Sequence, residues 1–176
     1  MADFLTDVET LRKQAREEIE KGPITAAYQA DVSRVIEVLN AALATELVCV
    51  LRYRQHHFTA KGLDAEPVAA EFLTHATEEQ DHADRLAARI AQLGGTPDMN
   101  PDTLTARSHA EYQTSDSLVE MIKENLVAER IAIASYTEII GWLGTSDPTT
   151  RRLIEDILSV EEEHADDLLG FLDKVR

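Results

Sequence analysis

Two stretches constrain this chain more than anything else in it, and they are near copies. One reads Glu79-Gln80-Asp81-His82-Ala83-Asp84-Arg85-Leu86. The other reads Glu161-Glu162-Glu163-His164-Ala165-Asp166-Asp167-Leu168, so each is a Glu-x-x-His followed by Ala-Asp-x-Leu. On an α-helix, residues three apart lie about 60° apart around the axis, so carboxylate and imidazole share a face and can hold one side of a metal ion. Either copy alone would be weak evidence, because charged residues at helical spacing are mostly solvated surface.

The copies gain meaning from what precedes them. Each follows a lone glutamate set in an apolar segment: Glu46 in Leu43-Ala44-Thr45-Glu46-Leu47-Val48, and Glu129 in Leu126-Val127-Ala128-Glu129-Arg130-Ile131. Glu79 comes 33 residues after Glu46, and Glu161 comes 32 after Glu129. The midpoints fall at Gly62-Leu63 and at Thr145 beside Gly144. Glycine is the usual residue just past a helix end. If each midpoint is the turn of an antiparallel hairpin, each lone Glu returns to the level of its Glu-x-x-His. Four helices then set Glu46, Glu79, His82, Glu129, Glu161 and His164 at one height in a bundle core, about a pseudo-twofold axis. This is the ligand arrangement of the di-iron and di-manganese carboxylate bundles. Core carboxylates without counter-ions would cost more than a domain can spare, and two divalent cations would neutralise four of them. On this geometry Glu46 and Glu129 are terminal ligands, Glu79 and Glu161 bridge, and each His gives one ring nitrogen. Such donors suit iron or manganese, and also zinc, which cannot change valence.

Composition narrows the alternatives. A chain of 176 residues has room for one domain with a real core. Aromatics are only 5% and there are only 7 glycines, which argues against strand-rich structure. The formal net charge of −16 argues against nucleic acid and anionic membranes and favours cations. No apolar run approaches the ~20 residues of a membrane span. Met1-Ala2-Asp3-Phe4 lacks the basic start of a signal peptide, and one Cys cannot form an internal disulfide. The expected compartment is the cytoplasm.

In order, the sequence predicts an N-terminal helix from Leu5 to Lys21, with a thin stripe of Leu5, Val8, Leu11, Ala15 and Ile19. That stripe would lie on the bundle or against a neighbouring subunit. Gly22-Pro23 ends it. The first bundle helix runs from Asp31 to Lys61, with Val35, Leu39, Ala42, Leu43, Glu46, Val50 and Tyr53 inward, and Gly62 stops it. The second holds Pro67 in its first turn and runs to about Leu93, before Gly94-Gly95. A crossover to Thr114 follows, with a short helix over Asp102 to Arg107. The third helix starts near Ser115-Asp116, capped by one of the two, and ends near Gly144. Asp147-Pro148 caps and opens the fourth. The expected fold is therefore all-α: one domain, residues 1–22 an added helix and 28–176 a four-helix bundle of two hairpins joined by a long crossover.

From Asn40 to Leu172 the pattern resembles the ferritin superfamily, and within it bacterioferritin, which has a lone Glu, Glu-x-x-His-Ala-Asp-Arg, a lone Glu and Glu-Glu-x-His on successive helices. Tyr53, seven residues after Glu46, falls where that family keeps a redox-active tyrosine. The resemblance implies a ferroxidase with two iron ions per subunit. It would oxidise Fe(II) with H2O2 or O2 and store ferric mineral in a hollow shell. Two departures matter. Gln80 stands where the family's haem-ligating Met would be, so no haem is expected. The chain ends 12 residues after His164, without the family's fifth helix, and carries an N-terminal helix instead. This looks like the Dps-like branch, so a homo-dodecamer is expected, with a 24-mer or a dimer as alternatives.

The rival readings are a non-storage di-metal oxidase or manganese-catalase-like enzyme, a structural zinc bundle, and a Dps-type DNA-protecting protein. The charge and the balanced N-terminal helix argue against direct DNA binding. A rubrerythrin would need a Cys-x-x-Cys part that is missing. Among other residues, Cys49 reads as a small core residue rather than a metal-site thiol. His75 is a candidate transit ligand for incoming iron. At least one of His56 and His57 should be exposed. Arg130 and Asp81 could pair beside the ligands, and Trp142 should pack at the bundle end.

Overall fold

The protein is described here from a computed structural model, covering residues 7–62 and 65–174. Its helices are α1 (Val8–Glu17), α2 (Val32–Thr59), α3 (Ala65–Gln92), α4 (Leu104–Arg107), α5 (Leu118–Leu143) and α6 (Pro148–Lys174), with a 3-10 turn at Ile19–Lys21. Strands are absent among the described residues. No helix among them is long and apolar enough to cross a membrane.

Helices α2 and α3 form one antiparallel hairpin and α5 and α6 the other, with α2 against α5 and α3 against α6 closing the bundle. Asp31 caps α2 by accepting from the Arg34 backbone N–H at 3.2 Å, and every inward position predicted for this helix is buried. Gly94, at φ 83°, ends the α2–α3 hairpin in the left-handed region that favours glycine, while the Gly95 N–H reaches back to Ile90 O at 2.9 Å. The turn residue Leu63 lies outside the described residues, as does Leu5 of the N-terminal stripe.

The third bundle helix differs from expectation at its start. Its N-cap is Ser117, not Ser115 or Asp116, and the Ser115 hydroxyl instead accepts the Ser117 N–H at 3.2 Å. The short crossover helix begins at Leu104, two residues later than expected. Leu104 packs with Ala44 and Val48, while Arg107 donates to the Asn40 and Asp98 carbonyls at 3.2 and 2.9 Å. These contacts latch the crossover to the outer side of α2. Trp142 does not pack the bundle end: it is 48% exposed. Helix α1 buries none of its residues, and Val8, Leu11 and Ile19 all face outward.

Besides the small Leu104 cluster, the core holds two large apolar clusters. One contains Leu39, Leu43, Leu86, Ile90, Leu143 and Ile154. The other contains Tyr53, Phe72, Met121, Ile122, Leu168 and Leu172. In chain order on each long helix, the charged positions fall between these two sets. Buried aromatics carry much of such a core, so Phe72→Ala should lower stability by about 3–5 kcal/mol, read as a denaturation midpoint shift at constant m-value. Phe72 is fully buried and touches the Tyr53 and His56 rings.

Candidate metal centre

Helices α2, α3, α5 and α6 each deliver one glutamate to the layer between the two apolar clusters. Glu46, Glu79, Glu129 and Glu161 are all 1% exposed or less, and His82 and His164 are 2% exposed. The six side chains form two overlapping donor groups. Glu46, Glu79, His82 and Glu161 offer atoms within 4.8 Å of one another, and so do Glu79, Glu129, Glu161 and His164. Glu79 and Glu161 belong to both groups, so these two carboxylates lie between the two candidate ion positions.

The distances describe donors converging on two common points rather than a hydrogen-bonded network. His82 Nδ1 lies 2.9 Å from Glu161 Oε1, 3.4 Å from Glu46 Oε2 and 3.5 Å from Glu79 Oε2. His164 Nδ1 lies 3.8 Å from both Glu79 Oε1 and Glu161 Oε2, and 3.9 Å from Glu129 Oε2. Of these atoms, His82 Nδ1, His164 Nδ1, Glu46 Oε2, Glu79 Oε1, Glu129 Oε2 and both Glu161 oxygens are buried without a hydrogen-bond partner. Buried polar atoms are ordinarily paired, and a concentration of orphans marks a place where something else binds. The donors are hard carboxylate oxygens and borderline imidazole nitrogens, which fits iron, manganese or zinc.

The electrostatics agree. Burial, followed by the Glu79 charge, pushes the Glu46 and Glu161 carboxyls well above the usual range. Burial acts the same way on Glu129, but His164 beside it, first, and the Tyr53 hydroxyl it accepts from hold it down to about 2. Burial opposes the charge on both histidines. The surrounding carboxylates overcome it, Glu161 first for His82 and Glu129 first for His164, and raise both to about 9. Without metal, protons must do the neutralising.

Hydrogen bonds around the layer aim the donors. The Tyr53 hydroxyl on α2 donates to Glu129 Oε1 on α5, and the Tyr136 hydroxyl on α5 donates to Glu46 Oε1 on α2. The second tyrosine was missed from sequence, yet the signal was there: Tyr136 follows Glu129 by seven residues, as Tyr53 follows Glu46. On the far side of the His164 ring, Nε2 sits 2.9 Å from Glu78 Oε2, which fixes the ring's rotation and leaves Nδ1 facing the cluster.

The remaining candidates separate. Cys49 is buried and belongs to neither donor group. Its thiol, pushed well up by burial, lies 3.6 Å from Arg52 Nη2. Arg52 is itself buried and donates to Asn125 Oδ1 at 2.8 Å and Glu111 O at 2.9 Å. His56 is fully buried and His57 half-buried, its Nδ1 2.7 Å from Ala69 O, so neither is exposed as expected. His56 packs on Phe72 of the second core cluster, and His57 lies against the Ala69 carbonyl, both on α3. Asp81 and Arg130 do not pair: Arg130 is exposed, and the Asp81 carboxylate faces Arg85 at 3.9 Å. His75 is buried and stacks on the His164 ring, centroids 4.0 Å apart.

Comparison with known proteins is decisive for the family. A family model described as a ferritin-like domain matches residues 36–176. The chain belongs to the ferritin family. Within it, the chain is similar to the bacterioferritin of Desulfovibrio desulfuricans, 29% identical over 133 residues, covering 75% of this chain and 70% of that one. It is also similar to a DNA protection during starvation protein of Pyrococcus furiosus, 31% identical over 137 residues, covering 76% and 74%. Among solved structures, a dodecameric thioferritin, the bacterioferritin-related protein from Bacteroides fragilis, is 31% identical. It aligns with a TM-score of 0.81 over 92% of this chain and 95% of that one. Ferritin-like iron-storage and Dps-type proteins are thus this chain's relatives, as the two motifs implied.

Proposed function

We propose that this protein is a ferroxidase that stores or detoxifies iron, with Glu46, Glu79, His82, Glu129, Glu161 and His164 holding two iron ions as substrate. The observation that carries this reading is the set of orphaned buried donor atoms, split into two groups sharing Glu79 and Glu161. Each bound Fe(II) gives up one electron. Hydrogen peroxide takes both with two protons and leaves as two waters, and dioxygen takes both to become peroxide. Taking the electrons in pairs avoids one-electron oxygen radicals. Tyr53 donates a hydrogen bond to Glu129 and so holds that carboxylate in place for the ions. The ferric product passes to the interior of a homo-oligomer, and similarity to the dodecameric thioferritin supports a dodecamer. No haem is involved: the Gln80 amide donates to Asp84 Oδ1 at 2.9 Å and offers no strong iron ligand. With a net charge of −16, direct DNA binding is not part of this reading, and a gel shift at low salt should show none.

The direct test adds Fe(II) aerobically to the metal-free protein. Ferric absorbance should rise faster than in buffer alone, and size exclusion with light scattering should give the mass of a dodecamer. A dimer mass would remove storage and leave a di-metal oxidase. Tyr53→Phe should bind Fe(II) as before but oxidise it more slowly, as followed by stopped-flow absorbance.

The protons that the centre would hold in the absence of metal make binding pH-dependent. Cations must displace protons from Glu46, Glu161, His82 and His164, so Zn(II) should bind more tightly at pH 8 than at pH 6 and release protons. Calorimetry in two buffers of different ionisation enthalpy measures that release. For the metal-free protein the sign is opposite. His82 and His164 are raised from 6.5 to about 9, so the stability they contribute is complete below pH 6.5 and lost as pH rises toward 9. Thermal melts across that window should fall without metal.

A further inference from the structure

One buried charge close to the paired donor groups is matched by no carboxylate. Arg52 is 1% exposed and takes part in no ion pair among the described residues. Its nitrogens go to uncharged partners instead. Nε donates to Asn125 Oδ1 at 2.8 Å, Nη1 donates to Glu111 O at 2.9 Å, and Nη2 lies 3.6 Å from the Cys49 thiol. A guanidinium does not give up its proton inside a protein, so this charge is permanent. A buried charge without a counter-charge is costly, and proteins rarely keep one without a use.

The partners of Arg52 fix where the charge sits. Asn125 precedes Glu129 by four residues on α5, and Cys49 follows Glu46 by three on α2. Each partner is thus about one helical turn from a ligand of the pair centre. The guanidinium carbon lies 5.9 Å from the Tyr53 ring centroid, and the hydroxyl of that ring donates to Glu129. Burial opposes the Arg52 charge, but Cys49, Tyr53, Glu129 and Glu79 more than offset it. The bonds to Asn125 and Glu111 tie α2 to α5 and to the crossover, so the side chain cannot swing away. Asn125 is fully buried, and its Nδ2 has no partner. An amide therefore stands where a carboxylate of the same shape would cancel the charge of Arg52.

We infer that Arg52 is a positioning residue of the pair centre, whose fixed charge keeps the ions loosely held and favours departure of the trivalent product over the divalent substrate. Four glutamates and two divalent ions balance one another, so a further positive charge one turn away acts on the ions as repulsion. That repulsion scales with the charge of the ion, and is half as large again for a trivalent ion as for a divalent one. A centre that hands oxidised ions to a store gains from this bias, whereas a centre that keeps its ions would not. The inference rests on the ferroxidase reading of the pair centre.

The test measures Zn(II) and Ga(III) affinities of the full chain by competition with nitrilotriacetate. Ga(III) stands in for ferric ion because it does not change valence. Arg52→Met removes the charge, Arg52→Lys keeps it, and Asn125→Asp sets a counter-charge against it while leaving Arg52 packed. R52M should bind Zn(II) roughly ten-fold more tightly, the low end of what groups beside a ligand shell command. It should bind Ga(III) roughly thirty-fold more tightly, following the ratio of the ionic charges. N125D should gain in the same order, and R52K should stay near wild type. A merely structural Arg52 gives the opposite sign, weaker binding of both ions in R52M. That result, equal gains for the two ions, or a gain in R52K matching R52M would overturn the inference. If R52M does not fold, N125D decides: affinities equal to wild type in that variant would sink the proposal. A wild type that binds neither ion would overturn the ferroxidase reading, and this inference with it.

Discussion

Replacing Glu161 with glutamine should make the metal-free protein melt higher and the metal-treated protein melt lower than wild type under the same conditions. In the metal-free state Glu161 is a liability. Both its oxygens are buried without an aligned partner, and three more carboxylates surround it. An isosteric amide removes that burden. Relief of about 1 kcal/mol would raise the midpoint by about 2–4 °C in a chain of this size. With metal the sign reverses, because Glu161 belongs to both donor groups and its loss weakens both ions at once. Losing a partner outside the ligand shell already costs about 10–100-fold in metal affinity, and losing a shared ligand should cost more. Wild type at a thousand-fold excess of metal over Kd gains about 4 kcal/mol, and E161Q should forfeit most of it. Paired melts with and without Zn(II), beside the aerobic Fe(II) assay, measure all of this. A variant that melts lower without metal yet keeps the full metal-induced rise would show that Glu161 is a structural residue.

Asp147→Ala should be the most damaging single change away from the centre. Asp147 is 1% exposed and accepts both Nη2 contacts of the buried Arg89, at 3.0 and 3.1 Å. It also caps α6 through the Thr150 N–H at 2.9 Å and takes the Tyr28 hydroxyl at 2.7 Å. Alanine would leave a guanidinium buried without its counter-charge. Breaking a buried pair from one side costs about 3–5 kcal/mol, and the lost cap adds about 1 kcal/mol more. The melting midpoint should fall by roughly 10 °C or more. Much of this loss reflects the stranded charge, so R89M/D147A should recover part of it. The pH dependence carries a signature. Burial pushes the Asp147 carboxyl up, but the hydrogen bonds from Thr150, Tyr28 and Arg89 more than offset this and hold it below its ordinary value. Its stability contribution is therefore present above the usual carboxylate range and lost as pH falls through the depressed value. D147A should lack that acid-side loss in equilibrium denaturation. If D147A matches wild type at neutral pH, the pair contributes nothing.

Much of the molecule was legible because helical periodicity is local. The inward positions of α2, the stop at Gly94-Gly95 and the Asp147 cap before Pro148 each depend on a few neighbouring residues, and the structure carries all of them. The doubled Glu-x-x-His went further, since an internal repeat carries long-range information: two like hairpins must face each other about an axis. Tyr136 could have been found by the same rule, because it repeats the Tyr53 spacing exactly once more in the second hairpin. Misreadings arose where one residue's environment depended on an element far away in sequence. Trp142 was expected to pack at the bundle end and is nearly half exposed, while at least one of His56 and His57 was expected to be exposed and neither is.

The sequence by itself determined the helices, their inward faces and the height at which six metal-type side chains meet, since spacing along a helix fixes both azimuth and level. Only the tertiary structure decided which atoms meet across the bundle. The crossed Tyr53–Glu129 and Tyr136–Glu46 bonds and the Arg89–Asp147 pair 58 residues apart all depend on how neighbouring helices are rotated and staggered. Those offsets are set by how the two apolar clusters pack together, a property of the whole core rather than of any one helix.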